Sequence, residues 1–104
     1  MRTPATLPPA GLFTKSIEGN TEVEATTTTI CPALNNRRYL SLTNLGNKDV
    51  WCSFGKPAVL LKGDILPKNG GTLKYTAALA ISNRALNGIS DGGTLTVAFM
   101  DGSV

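Results

Sequence analysis

In the stretch Arg38-Tyr39-Leu40-Ser41-Leu42-Thr43-Asn44, apolar and polar side chains alternate strictly, with Leu40 and Leu42 on one face and Tyr39, Ser41 and Thr43 on the other. From Asp49 to Phe54 the chain alternates again, Val50, Cys52 and Phe54 inward and Asp49, Trp51 and Ser53 outward. Joined by Leu45-Gly46-Asn47-Lys48, the two segments read as a hairpin. Upstream, Thr26-Thr27-Thr28-Thr29-Ile30 is β-branched throughout and suits a pleated, half-buried surface. Pro32 ends that run, and Asn35-Asn36 is a turn. Downstream, Val59-Leu60-Leu61 reads as a short strand, Gly63-Asp64 as a turn and residues 72–76 as a strand. At 77–83 the Ala-Ala-Leu-Ala run allows a helix start, but the β flanks favour a strand at 80–82. Asn87-Gly88 and Ser90-Asp91-Gly92-Gly93 are turn signals, and residues 94–100 close the pattern with Leu95, Val97 and Phe99 on one face.

Asn69-Gly70-Gly71-Thr72-Leu73 is echoed by Asp91-Gly92-Gly93-Thr94-Leu95, each a glycine-rich turn directly before a strand. Short strands, tight turns and no clear helix predict an all-β fold, a small antiparallel β-sandwich or jelly-roll-like barrel.

Residues 1–20 break the alternation. Pro4, Pro8 and Pro9 fix φ and remove backbone donors, so this stretch forms neither a helix nor a central strand. It reads as an extended N-terminal arm ahead of a single β domain at 21–104. Leu7, Leu12, Phe13 and Ile17 are apolar, whereas a purely disordered tail has few such residues. These four side chains are therefore expected to anchor the arm on its own domain or on a neighbour.

The length of 104 residues is that of one thin-cored domain. Only 16% of residues are charged, which points to a surface partly covered by something else. The net charge of +3 comes from the middle of the chain, where eight bases including Arg37, Arg38 and Lys74 face Asp49 and Asp64. These bases are spaced singly along several strands, as solvated faces are, so no nucleic-acid partner is expected. The start Met1-Arg2-Thr3-Pro4 lacks a signal peptide's apolar stretch, and no run approaches membrane-spanning length. Synthesis in a cytoplasm with reduced thiols and no membrane partner is the expectation. Cys52 reads as a small core residue, and a Cys31–Cys52 disulfide stays open.

No chemistry stands out. The chain has no histidine, the commonest general base and metal ligand. Asp49, Asp64, Asp91 and Asp101 read as turn residues held by local hydrogen bonds. Asp91 and Asp101 alone supply too few oxygens for Ca²⁺. Neither Gly92-Gly93-Thr94 nor Gly70-Gly71-Thr72 has phosphate-loop spacing. No enzyme, no cofactor and no metal is expected. The remaining candidates are contact residues. Trp51 faces away from its apolar neighbours, so it is a contact side chain, or it is core with the register displaced by one. Tyr39 lies on the corresponding face of the preceding strand and is expected to pair with Trp51, a patch suited to a protein neighbour or a glycan.

The stretch Asn36-Arg37-Arg38-Tyr39-Leu40-Ser41-Leu42-Thr43-Asn44, followed by Asp49-Val50-Trp51-Cys52-Ser53-Phe54-Gly55, resembles small bacteriophage virion proteins. Gly63-Asp64-Ile65-Leu66-Pro67 through Gly71-Thr72-Leu73, and Gly93-Thr94-Leu95-Thr96-Val97, continue the resemblance over roughly residues 36–100. It implies a virion protein that decorates or cements a capsid, or sits at a fibre base, as a homo-oligomer (dimer or trimer). Its partner would be the major capsid protein or another virion protein, and no catalytic residue carries over. The alternative is a glycan- or receptor-binding module of a phage tail or head fibre.

Overall fold

An alternating chain buries its apolar face only against another sheet. In the computed structural model, residues 15–76 and 81–103 are described, and they do this with eight strands and no helix. The strands are β1 (Lys15–Val23), β2 (Thr28–Cys31), β3 (Arg37–Asn44), β4 (Val50–Phe54), β5 (Asp64–Leu66), β6 (Thr72–Thr76), β7 (Leu86–Ser90) and β8 (Leu95–Ser103). They form two four-stranded sheets, ordered β1-β8-β3-β6 and β2-β7-β4-β5, with every pairing antiparallel. The pairs β1–β8, β2–β7, β3–β6 and β4–β5 nest like layers of one long hairpin, and β8–β3 and β7–β4 form where that hairpin rolls onto itself. This is the order of an eight-stranded jelly roll, so the expected all-β sandwich is present.

Between the sheets, Val23, Leu40, Leu42, Leu95 and Val97 from the first meet Ile30, Val50, Leu66 and Leu86 from the second, with Cys31 and Cys52 among them. One side-chain hydrogen bond spans the sheets at each open edge. Thr21 Oγ1 of β1 donates to Ile30 O of β2 at 2.8 Å, and the Tyr75 hydroxyl of β6 donates to Asp64 Oδ2 of β5 at 2.6 Å.

β3 and β4 lie in different sheets, which overturns the expected hairpin of residues 38–44 with 49–54; of the consecutive strands described, β4 and β5 alone share a sheet. β3 pairs with β8 and β6, while β4 pairs with β5 and β7. Buried Asn44 redirects the chain: its Nδ2 donates to Lys48 O (2.7 Å) and Leu66 O (3.1 Å), and its Oδ1 accepts from Gly46 N (2.8 Å). A side chain that satisfies the backbone of both the turn and the opposite sheet makes an arch cheaper than a tight hairpin.

Asn87-Gly88 is no turn. It lies within β7, a central strand. Gly88 is there because the core closes over it: a Cβ would stand 2.6 Å from Ile30 Cδ1 and 3.1 Å from Val50 Cγ1. The two echoed glycine turns do precede β6 and β8, but each carries the chain from one sheet to the other. Residues 81–83 are irregular, and 77–80 lie outside the described residues. Nor does the expected arm extend to residue 20, since Lys15 through Asn20 pair with Ser103 through Ala98.

Candidate protein-contact surface

Titratable groups inside the fold are locked rather than poised for chemistry. Arg37, expected on a solvated basic face, is buried with Asp101, expected beside a turn but standing in β8. Arg37 Nε and Nη2 contact Asp101 Oδ1 and Oδ2, both at 2.8 Å. Its remaining donors go to the carbonyls of Ser82 (2.9 Å), Arg84 (2.7 Å) and Pro32 (2.9 Å). Five guanidinium donors thus meet five acceptors, tying the β2–β3 and β6–β7 connections to β3 and β8. Cys31 and Cys52 are free and buried. They sit on β2 and β4 with β7 between, about two strand spacings or ~10 Å apart, too far for a disulfide. Burial pushes their thiols up to about 11 and about 12, so neither is a thiolate near neutral pH. Burial, then the bond to Asp64, pushes the Tyr75 phenol well above its ordinary value. Among the described residues no group of three or more Cys, Asp or Glu side chains is arranged to hold a metal ion.

The strongest exposed feature is the β4–β5 loop. Pro57 and Gly63 bracket Val59-Leu60-Leu61, and these three side chains are 50%, 40% and 78% exposed. They form a turn, with Lys62 N donating to Val59 O at 3.1 Å, rather than the expected short strand. Leu61 holds φ at +65°, a left-handed conformation that a leucine adopts at a cost. The base of the loop is fixed over the outer face of the second sheet. Gly55 N donates to Ala85 O (2.8 Å), Asn87 Nδ2 to Lys56 O (2.7 Å), and the N–H of buried Ala58 to Thr27 Oγ1 (2.9 Å). A cleft of about 520 Å³ opens beneath it, between Phe54, Pro57 and Val59 on one hand and Lys56, Lys62 and Asp64 on the other. The loop thus combines a fixed base with an apolar, exposed tip, and exposed side chains of this kind gain by being covered.

The sequence candidates fall in separate places. Trp51 faces outward, half-buried, beside its cross-strand partners Ile65 and Ile89, so the register read from the alternation stands. Tyr39 stands on the outer face of the other sheet, across from Thr76 and Gly102. The two aromatics therefore share no platform, and the expected Tyr39–Trp51 patch does not form. Ile17 is half-exposed on β1, opposite Asp101. Leu7, Leu12 and Phe13 lie outside the described residues. Three consecutive apolar residues look like a buried strand, so hydrophobicity alone does not mark the loop tip. The signal that marks it is the pair of breakers, Pro57 and Gly63, too close together to leave a paired strand between them.

No family model matches the chain, and no curated protein sequence matches it. Among solved structures it is similar to a protein of Bacillus endospore appendages, from a family of disulfide-linked pili. The superposition covers 98% of this chain and 99% of that one at a TM-score of 0.52, with 9% sequence identity. At that identity the likeness is one of fold: this chain and the appendage protein share an architecture over nearly their whole lengths.

Proposed function

We propose that this chain is a non-enzymatic structural protein that attaches to a larger protein assembly, and specifically that it decorates or cements a virus capsid. The observation that carries the reading is the β4–β5 tip, where Val59, Leu60 and Leu61 are held out into solvent on a fixed base. Covering three such side chains contributes about 1.5–3 kcal/mol each when burial is complete, before ordering costs. The virion resemblance of residues 36–100 and a fold shared with an appendage protein both support an assembly role. Leu7, Leu12 and Phe13 would add a second apolar anchor through the N-terminal segment.

Particles from the source, banded on a density gradient and analysed by mass spectrometry, test this. Co-migration with capsids in copy number near that of the shell protein is the expected result. A chain left at the top of the gradient overturns the reading. The appendage protein favours a second reading, in which copies polymerise into a filament of their own, and filaments without capsids in the banded material would select it. Deleting residues 1–14, which leaves β1 intact, then separates attachment through the N-terminal segment from attachment through the loop.

A further inference from the structure

The ladders of the β1-β8-β3-β6 sheet set its outward side chains in rows. One row runs Glu18, Met100, Ser41, Lys74, and the next runs Asn20, Ala98, Thr43, Thr72. Charge appears only at the two ends of the first row, and the second row carries none. Glu18, with Glu22 further along β1, is acidic at one edge, and Lys74 is basic at the other. The middle is small and uncharged, and it dips into a hollow of about 410 Å³ bordered by Glu18, Asn20, Ser41, Thr43, Ala98 and Met100. A solvated outer face of a sandwich usually carries charges along each strand. Here the two central strands, β8 and β3, present none in these rows.

We propose that this face pairs with the same face of a second copy, about a two-fold axis running along the strands between β8 and β3. That rotation keeps each residue's height along its strand and exchanges left for right across the sheet. β1 of one copy then lies over β6 of the other, and β8 over β3. Because Glu18 and Lys74 share a row, each Glu18 meets Lys74 of the second copy, twice per dimer. Within that row the long Met100 lies over the short Ser41 of the second copy, and in the next row Ala98 lies over Thr43. Charge and shape are thus both self-complementary under one operator, the condition for an isologous interface. With the flanking row Ser16, Gly102, Tyr39, Thr76 included, four strands ~4.8 Å apart and three rows ~7 Å apart give roughly 400 Å² per copy, about half of a standard specific interface and in the range of weak, transient association. The association therefore shows at high micromolar concentration, or when copies are already gathered on an assembly. The pairing gives the homo-oligomer expected of a virion protein a named surface and symmetry. It is separable from attachment, because a monomer can attach through the loop tip.

Sedimentation equilibrium of the full chain, from low to high micromolar concentration, tests it. The wild type is expected to show a monomer–dimer equilibrium. Lys74→Glu sets like charges together twice and should weaken the dimer by about tenfold or more. Adding Glu18→Lys to that variant restores opposite charges and should restore the dimer. Ala98→Arg in the hollow should abolish it while leaving the thermal unfolding midpoint unchanged. A wild type that stays monomeric throughout overturns the proposal, as does an Ala98→Arg variant that dimerises normally or a double variant as weak as Lys74→Glu alone. Gradient banding of the same variants reports attachment independently.

Discussion

Arg37 and Asp101 meet side by side in two parallel contacts of 2.8 Å, both buried, at the end of the sandwich where the chain enters β1 and leaves β8. The Phe54 ring, 5.8 Å from the guanidinium carbon, covers one face of the arginine. Removing one partner strands the other charge without water. Arg37→Met is therefore expected to destabilise the fold by about 3–5 kcal/mol in urea unfolding. The double variant Arg37→Met with Asp101→Leu should lose less than the single one, because no isolated charge remains. Equal losses from the single and double variants would contradict this account.

Gly88 faces the core where Ile30 Cδ1 and Val50 Cγ1 converge. Gly88→Ala should cost about 1–3 kcal/mol by overpacking. Ile30→Val removes the atom that a Cβ would meet first, so the double variant should regain part of that loss in thermal unfolding. No recovery would place the cost in the backbone rather than in the contact.

Leu61 combines exposure with φ of +65°. Asparagine tolerates that conformation better than leucine does, so Leu61→Asn is expected to stabilise the domain by about 1 kcal/mol or leave it unchanged. The same change should weaken attachment to particles on the density gradient. A variant that is more stable and attaches as well as the wild type would remove the tip from the contact.

The buried thiols set an alkaline limit. A free thiol ionises near 9, whereas Cys31 and Cys52 hold their protons to about 11 and about 12 in the folded chain. Between pH 9 and those values the unfolded chain binds fewer protons than the folded one, so stability falls as pH rises. The slope from each thiol is at most about 1.4 kcal/mol per pH unit, and Tyr75, shifted in the same direction, adds to it at higher pH. Below pH 9 these groups leave stability flat. Cys31→Ala with Cys52→Ala should flatten the decline above pH 9 in chemical denaturation, and thiol reagents at neutral pH should label the folded wild type only after denaturant is added.

Alternation was the legible part of the fold. Leu40 and Leu42, Val50 and Cys52, and Leu95 and Val97 are all buried as their period-two spacing requires. Which strands pair was not legible, because alternation says which face is buried but not against what. Asn44 looks like a strand-end polar residue, yet its three hydrogen bonds turn the chain into the opposite sheet. Asn87-Gly88 carries the strongest short-range turn signature, yet tertiary packing of Ile30 and Val50 makes it a central strand. Arg37 was illegible for a related reason: only the meeting of β3 and β8 brings Asp101 to it, 64 positions along the chain. Of the contact candidates, the outward face of Trp51 followed from its neighbours. The loop tip did not, since its exposure depends on how Lys56, Ala58 and Asn87 fasten the loop.

The two echoed glycine turns differ in how far their tips stand clear of the packing: Gly70, Gly92 and Gly93 all hold positive φ, but Gly71 packs against Pro67. Cβ atoms added at Gly70, Gly92 and Gly93 would meet nothing within 4 Å, whereas the opposite end is fastened by Arg37. A guest peptide spliced between Gly92 and Gly93 would displace no packed side chain, and its cost would be confined to the hydrogen bonds that the Ser90 hydroxyl makes with Gly92 N and Gly93 O. Carried in many copies on a particle, the domain would then serve as a display scaffold whose cargo projects from one pole while its apolar loop engages from the other.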